Sequence, residues 1–126
     1  LVGVGVGVRT RCALRLALPG AATVRDGEAG RGDALYEARC GGCHSLDANR
    51  IGPMHRGVFG RRAGSVADFD YSDALRNARV QWNAQTLDAW LRDPQALIPG
   101  QRMGYSLQSA EERAAIIDWL RQSAAR

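Results

Sequence analysis

Glu37-Ala38-Arg39-Cys40-Gly41-Gly42-Cys43-His44-Ser45 is the stretch whose reading decides the fold. Upstream, from Asp26, Leu35, Ala38 and Arg39 recur on one face with Tyr36 beside them, and Gly41-Gly42 halts the run. That spacing predicts a first helix ending at the cysteine pair. Downstream, from Ser45 to Val80, glycine, proline and aspartate punctuate the chain every few residues, which predicts loops with one short helix near Ser72 to Asn77 and no strand.

Two thiols at i and i+3 followed by an imidazole form the attachment signature of a c-type haem. Cys40 and Cys43 would add to the two vinyl groups and His44 would reach the iron. One helical turn separates the sulfurs by about the distance between the vinyl-bearing edges of the porphyrin. Cys-x-x-Cys also occurs in thioredoxin-like redox couples and zinc sites. The redox couple wants a strand before it and a helix after; here a helix precedes and a loop follows. Zinc wants two more ligands at compact spacing, and only His55 offers itself, because Cys12 lies in an aberrant first stretch.

That stretch alternates Val with Gly from Leu1 to Val8, carries Arg9, Arg11 and Arg15, and ends Leu-Pro-Gly-Ala-Ala at Ala22. Positive charge, a short apolar run and small residues predict a secretory leader over 1–22, or a disordered extension, before a domain over 23–126. The residues before Cys12 lack the small apolar character of a lipid-anchor site, and no run approaches the ~20 apolar residues of a membrane-spanning helix. The formal charge of +4 falls to +1 once the three arginines of this stretch are set aside. The body then mixes Arg61, Arg62, Arg76 and Arg79 with Asp68, Asp70, Asp73 and Asp88 and has no basic stripe to displace counterions, which excludes nucleic acid as a partner.

In the second half, Asn83 caps a predicted helix with Leu87, Trp90 and Leu91 on its apolar face, stopping before Pro94. Ser109 and Glu112 read as a capping box for a last helix carrying Ile116, Ile117, Trp119 and Leu120. Three modest helices and glycine-rich loops offer little apolar surface to a domain of this size, so a bound group must complete the core. A lone methionine is ordinarily core filler, but Met103 follows Ile98-Pro99-Gly100 in the loop between the last two helices, far enough along to cross to the other side of a haem. Met54 is only ten residues past His44 and is expected to pack or face solvent.

From about Gly32 to Leu120 the chain resembles the class I cytochromes c, the mitochondrial type and its bacterial relatives. Besides Cys40-x-x-Cys43-His44, the resemblance rests on Gly52-Pro53, Gly57-Val58-Phe59-Gly60-Arg61, Phe69-Asp70-Tyr71-Ser72-Asp73-Ala74, Trp82, Leu87 through Pro94, and Pro99-Gly100-x-x-Met103. It implies a small all-α cytochrome c fold, with three main helices, a short helix and long loops wrapped around one haem c held by two thioethers. It further implies that His44 and Met103 are the axial ligands and that Gly32, Tyr36 and Trp119 are the first- and last-helix positions where those helices cross. Pro53 matches the carbonyl that accepts the outer proton of the haem histidine. Arg61, Tyr71 and Trp82 match residues that hydrogen-bond or neutralise the propionates, and Trp90 stands where a tyrosine often neighbours the methionine sulfur. His55 and Leu75 depart from the family, the first replacing an apolar residue near the haem and expected to be an accommodated packing or surface histidine rather than an alternative iron ligand or a pH-sensitive element, and the second an asparagine in a polar network.

Burying a few hundred Å² of porphyrin at ~25 cal/mol/Å² contributes on the order of 10 kcal/mol as an upper bound, so an apo chain would be largely unfolded. With both axial positions filled, the expected function is that of a soluble one-electron carrier in a respiratory or other redox chain, a monomer meeting redox partner proteins transiently at the haem edge. Arg39 and Arg102 are expected near that edge. Gln95 and Ala96 stand where relatives often carry lysines, which predicts weak steering. Two alternatives are a haem subunit held in an oxidoreductase complex, and an enzyme or sensor whose Met103 dissociates. Thioether attachment places the protein in the periplasm of a bacterium or, alternatively, the mitochondrial intermembrane space.

Overall fold

The computed structural model describes residues 31–125. The leader expected over 1–22, Cys12 and the start of the first helix lie outside these residues. The chain is helical from the first described residue to 39 (α1), and four helices follow: α2 Asp73–Asn77, α3 Ala84–Arg92, α4 Pro94–Leu97 and α5 Ala110–Ser123. Long loops join them, and among the described residues the nearest approach to a sheet is a single antiparallel bridge between Arg62 and Gln81. The expected all-α class is therefore the observed one.

Local chemistry explains where each helix starts. The Ser72 hydroxyl accepts from the Leu75 amide to cap α2. The Asn83 carboxamide caps α3, and the Thr86 side chain answers by accepting the Asn83 amide, so the full capping box lies here. The box expected at α5 is only half formed. Ser109 Oγ accepts from the Glu112 amide, whereas the Glu112 carboxylate turns away to accept from the Arg39 guanidinium at 3.2 Å. An ion pair between α1 and α5 has taken the acid from its local role. Pro94 also does more than end α3. It opens α4 as the first helical residue, with the Asp93 carboxylate accepting from the Ala96 amide.

Packing is organised by the crossing of α1 and α5. A Cβ on Gly32 would stand 2.9 Å from both the Trp119 Cβ and the Ala115 carbonyl oxygen, so the close approach requires glycine. One turn on, the rings of Tyr36 and Trp119 meet with centroids 4.4 Å apart. Helix α3 packs on α5 through Leu87 and Leu91, buried with Ile116, Ile117 and Leu120. The Arg113 guanidinium is buried at this junction, donating to Asp88 at 2.7 Å and to the carbonyls of Leu107 and Gln108 at 2.8 and 2.9 Å. It ties both helices to the loop that carries Met103.

Candidate functional site

Helix α1 runs directly into the Cys40–His44 turn. The Cys40 amide donates to Tyr36 O at 2.7 Å, the Cys43 amide to Cys40 O at 3.1 Å and the His44 amide to Cys40 O at 2.8 Å. One further helical turn thus sets the two thiols and the imidazole, and no disulfide joins the thiols. Helix precedes the pair and loop follows, the reverse of the order a thioredoxin-like couple needs. Among the described residues no group of three His, Cys, Asp or Glu side chains is placed to hold a metal ion. The Arg50 side chain spans the carbonyls that this turn leaves open, donating to Gly41 O at 2.6 Å, His44 O at 3.2 Å and Gly42 O at 3.3 Å. Sequence reading missed this contact, because nothing in the spacing of Arg50 marks it.

His44 is oriented from below. Its Nδ1 lies 3.0 Å from the Pro53 carbonyl oxygen, which can only accept, so the proton sits on Nδ1 and the Nε2 lone pair is left for a metal. The residue before Pro53 decides whether the ring fits at all. A Cβ on Gly52 would fall 1.9 Å from His44 Cε1 and 2.5 Å from Nδ1, so the imidazole occupies the space any side chain would claim. Burial lowers the His44 pKa, opposed by the Pro53 hydrogen bond. Burial also pushes the Cys40 thiol up to about 11, with the neighbouring Cys43 adding to the effect, so that sulfur is a neutral thiol at physiological pH.

His55 stacks on the face of His44, ring centroids 3.9 Å apart and planes inclined by 19°. Its Nδ1 is 3.0 Å from the Tyr36 hydroxyl oxygen. Burial above all, then His44 and Arg61, holds its pKa well below the ordinary value, so it is a neutral ring. Its role against His44 had no sequence signal beyond an unusual residue type at that position.

A second group gathers where the loop after Gly57 meets the segment before α3. The Gly60 amide donates to Trp82 O at 2.6 Å and the Trp82 amide to Arg61 O at 2.8 Å, bringing Arg61 and Trp82 together. Trp90, half-buried on α3, tilts against Trp82 with centroids 5.4 Å apart. Arg61 is half-buried, donates to the carbonyls of Met54 at 2.8 Å and Arg56 at 3.3 Å, and pairs with no carboxylate among the described residues. Desolvation lowers its pKa, with Tyr71 countering. The buried Tyr71 hydroxyl accepts the Val66 amide at 3.0 Å, which leaves its own proton to donate. A desolvated guanidinium without a counter-ion and a phenol with a proton to give both suit a buried anionic group, as haem propionates are.

Met103 lies half-buried in the coil between α4 and α5. Arg39 is engaged with Glu112, and Arg102 reaches the Asp70 carbonyl at 3.4 Å.

This fold and this site define the class of small helical proteins with a Cys-x-x-Cys-His turn of the kind that carries a haem. Comparison with known proteins is specific. The family model described as Cytochrome c matches residues 29–124. Cytochrome c of Cochliobolus lunatus is 40% identical over 100 residues, 76% of this chain and 93% of that protein. Cytochrome c 2.1 of Caenorhabditis elegans is 39% identical over 103 residues, 79% of this chain and 93% of its own length. Among solved structures, cytochrome cH from Methylobacterium extorquens superposes with a TM-score of 0.70 at 32% identity, covering 75% of this chain and 97% of that one. The chain belongs to the cytochrome c family. Its cofactor is a covalently attached haem c, and its work is electron transfer with redox partner proteins.

Proposed function

We propose that this protein is a one-electron carrier of a respiratory or related chain, with haem c bonded through the Cys40 and Cys43 sulfurs and held axially by His44 and Met103. The observation that carries the reading is the His44 imidazole held on the Pro53 carbonyl over Gly52, with Nε2 left to coordinate. The haem, when bound, supplies the ferric/ferrous couple. Everything else is done by the chain. Pro53 raises the basicity of His44 by accepting its outer proton. The Met103 thioether is a soft donor that, on a bound haem, would favour the reduced metal and leave no open position for small ligands. Arg61, Tyr71 and Trp82 would hold the propionates by charge and hydrogen bonds, which would let carboxylates remain in a buried place. Trp90, packed on Trp82, would stand near the thioether as the family resemblance implies and keep water from it.

Among the described residues no helix is long and apolar enough to cross a membrane. The large exposed apolar side chains there are Ile51 and Tyr105, too few for the apolar patch of a permanently docked subunit. The sparse exposed apolar surface favours a monomeric carrier with brief encounters. The chemistry of thioether attachment points to the periplasm, or to the intermembrane space for a mitochondrial source. The test is an absorption spectrum, oxidised and dithionite-reduced, of protein purified from its native compartment. A sharp reduced alpha band with a weak red band in the oxidised form, the red band lost in Met103→Ala, is expected. A colourless protein would overturn the reading.

A further inference from the structure

The Pro53 hydrogen bond constrains His44 incompletely. The contact at Nδ1 fixes one edge of the ring, but a hydrogen bond tolerates some departure from linearity, which leaves a range of rotation about the Cβ–Cγ bond. A flat surface against the face of the ring removes that freedom, and His55 is such a surface, nearly parallel to His44 and 3.9 Å from it. His55 is itself held. Its amide donates to Ser45 O at 3.0 Å, its carbonyl accepts the Val58 amide at 2.9 Å, and its Nδ1 meets the Tyr36 hydroxyl at 3.0 Å. Tyr36 in turn is clamped on Trp119 at the α1–α5 crossing. An unbroken line of packed rings therefore runs from the helix crossing to the imidazole.

We infer that His55, anchored by Tyr36, is a positioning residue that sets the rotation of the His44 imidazole plane about its metal–nitrogen axis. The inference rests on His44 being an axial ligand. The π orbital of an axial imidazole overlaps different metal d orbitals according to the orientation of its plane, so fixing the plane fixes where unpaired spin lies in the oxidised state and contributes to the reduction potential. The same geometry disposes of His55 as a sixth ligand. A metal held at Nε2 would lie in the plane of the His44 ring, and His55, stacked parallel to that ring, would stand beside the bond and not across the metal from it.

The test is proton NMR of the oxidised holoprotein, read as the spread and order of the haem-methyl shifts, together with the reduction potential, for His55→Leu, His55→Phe and Tyr36→Phe. In His55→Leu a redistributed methyl pattern and a moved potential are expected, with haem still attached and low-spin. His55→Phe, which returns a flat face, should restore the pattern most of the way. Tyr36→Phe should shift it in the same sense as His55→Leu by a smaller amount. A methyl pattern and potential unchanged in His55→Leu, with only a lower melting temperature, would make His55 a packing residue and overturn the inference. Should His55→Leu fail to fold, Tyr36→Phe decides: an altered pattern supports the inference and an unaltered one overturns it. A wild-type protein without low-spin haem would instead bring down the electron-carrier reading, whereas low-spin haem with unresponsive variants brings down this inference alone.

Discussion

The segment around His44 and the segment around Met103 would offer the two axial ligands of one haem, yet the chain secures them in opposite ways. Between Cys40 and Arg61 the backbone is laced to itself: Gly52 donates to Cys43 O at 2.9 Å, Arg50 to Gly52 O at 2.9 Å, His55 to Ser45 O at 3.0 Å and Arg56 to Leu46 O at 2.9 Å. Between Ile98 and Leu107 the chain is pinned at its ends, by Ile98 to Pro94 O at 2.9 Å and by Leu107 to Leu91 O at 2.7 Å. Its middle relies on long contacts, Gly100 and Gln101 to the Gln95 carboxamide at 3.3 Å each and Arg102 to Asp70 O at 3.4 Å. The histidine is therefore placed by the protein, whereas the methionine would be placed by the protein and a bond to the metal together. When a ligand is lost, the methionine side should yield first.

The largest effect that could break this comparison comes from His44→Ala. It should abolish stable haem incorporation and leave a largely unfolded chain, read as loss of haem absorbance and of helical circular dichroism. Next, Met103→Ala should keep the haem, lower the potential and admit carbon monoxide to the reduced protein. Amide exchange in that variant should accelerate over 99–106 and stay near wild type over 44–56; equal acceleration in both would erase the asymmetry. Gly52→Ala sharpens the contrast from the other side. Its Cβ would fall on the His44 ring, so destabilisation of about 1–3 kcal/mol is expected from overpacking, visible as a drop of several degrees in Tm.

The smallest expected effect is electrostatic and lies on the histidine side. The Arg56 guanidinium bonds both Asp47 oxygens and holds that carboxyl below its ordinary pKa. A carboxyl depressed in the folded state contributes stability above its unfolded pKa and loses it as pH falls through the folded value. Asp47→Asn should therefore lower Tm slightly at neutral pH, and the gap to wild type should close in acid. Asp47 is exposed and Arg56 only partly buried, so solvent screening keeps the effect small.

Much of this was legible in the sequence because it is local. The attachment turn follows from five consecutive residues, α3 from the Asn83 cap and the spacing of its apolar residues, and α2 from Ser72. Local reading failed where a partner distant in the chain competed. Glu112 had the spacing of a capping-box acid and was drawn instead to Arg39 on α1. Pro94 read as a stop and also served as a start, because Asp93 supplied a cap. His55 read only as an odd residue in an apolar place, because a ring stacked on another ring leaves no periodicity.

The sequence by itself determined the helical class, the haem attachment turn and the residues available to serve it, since thiol spacing, caps and apolar periodicity act over one or two turns of chain. Only the tertiary structure decided how His44 is oriented, through Pro53, the space left by Gly52 and the stacked His55, and how α1 and α5 cross. Those outcomes depend on shape and desolvation among side chains brought together by the whole fold, which no stretch of the chain specifies alone.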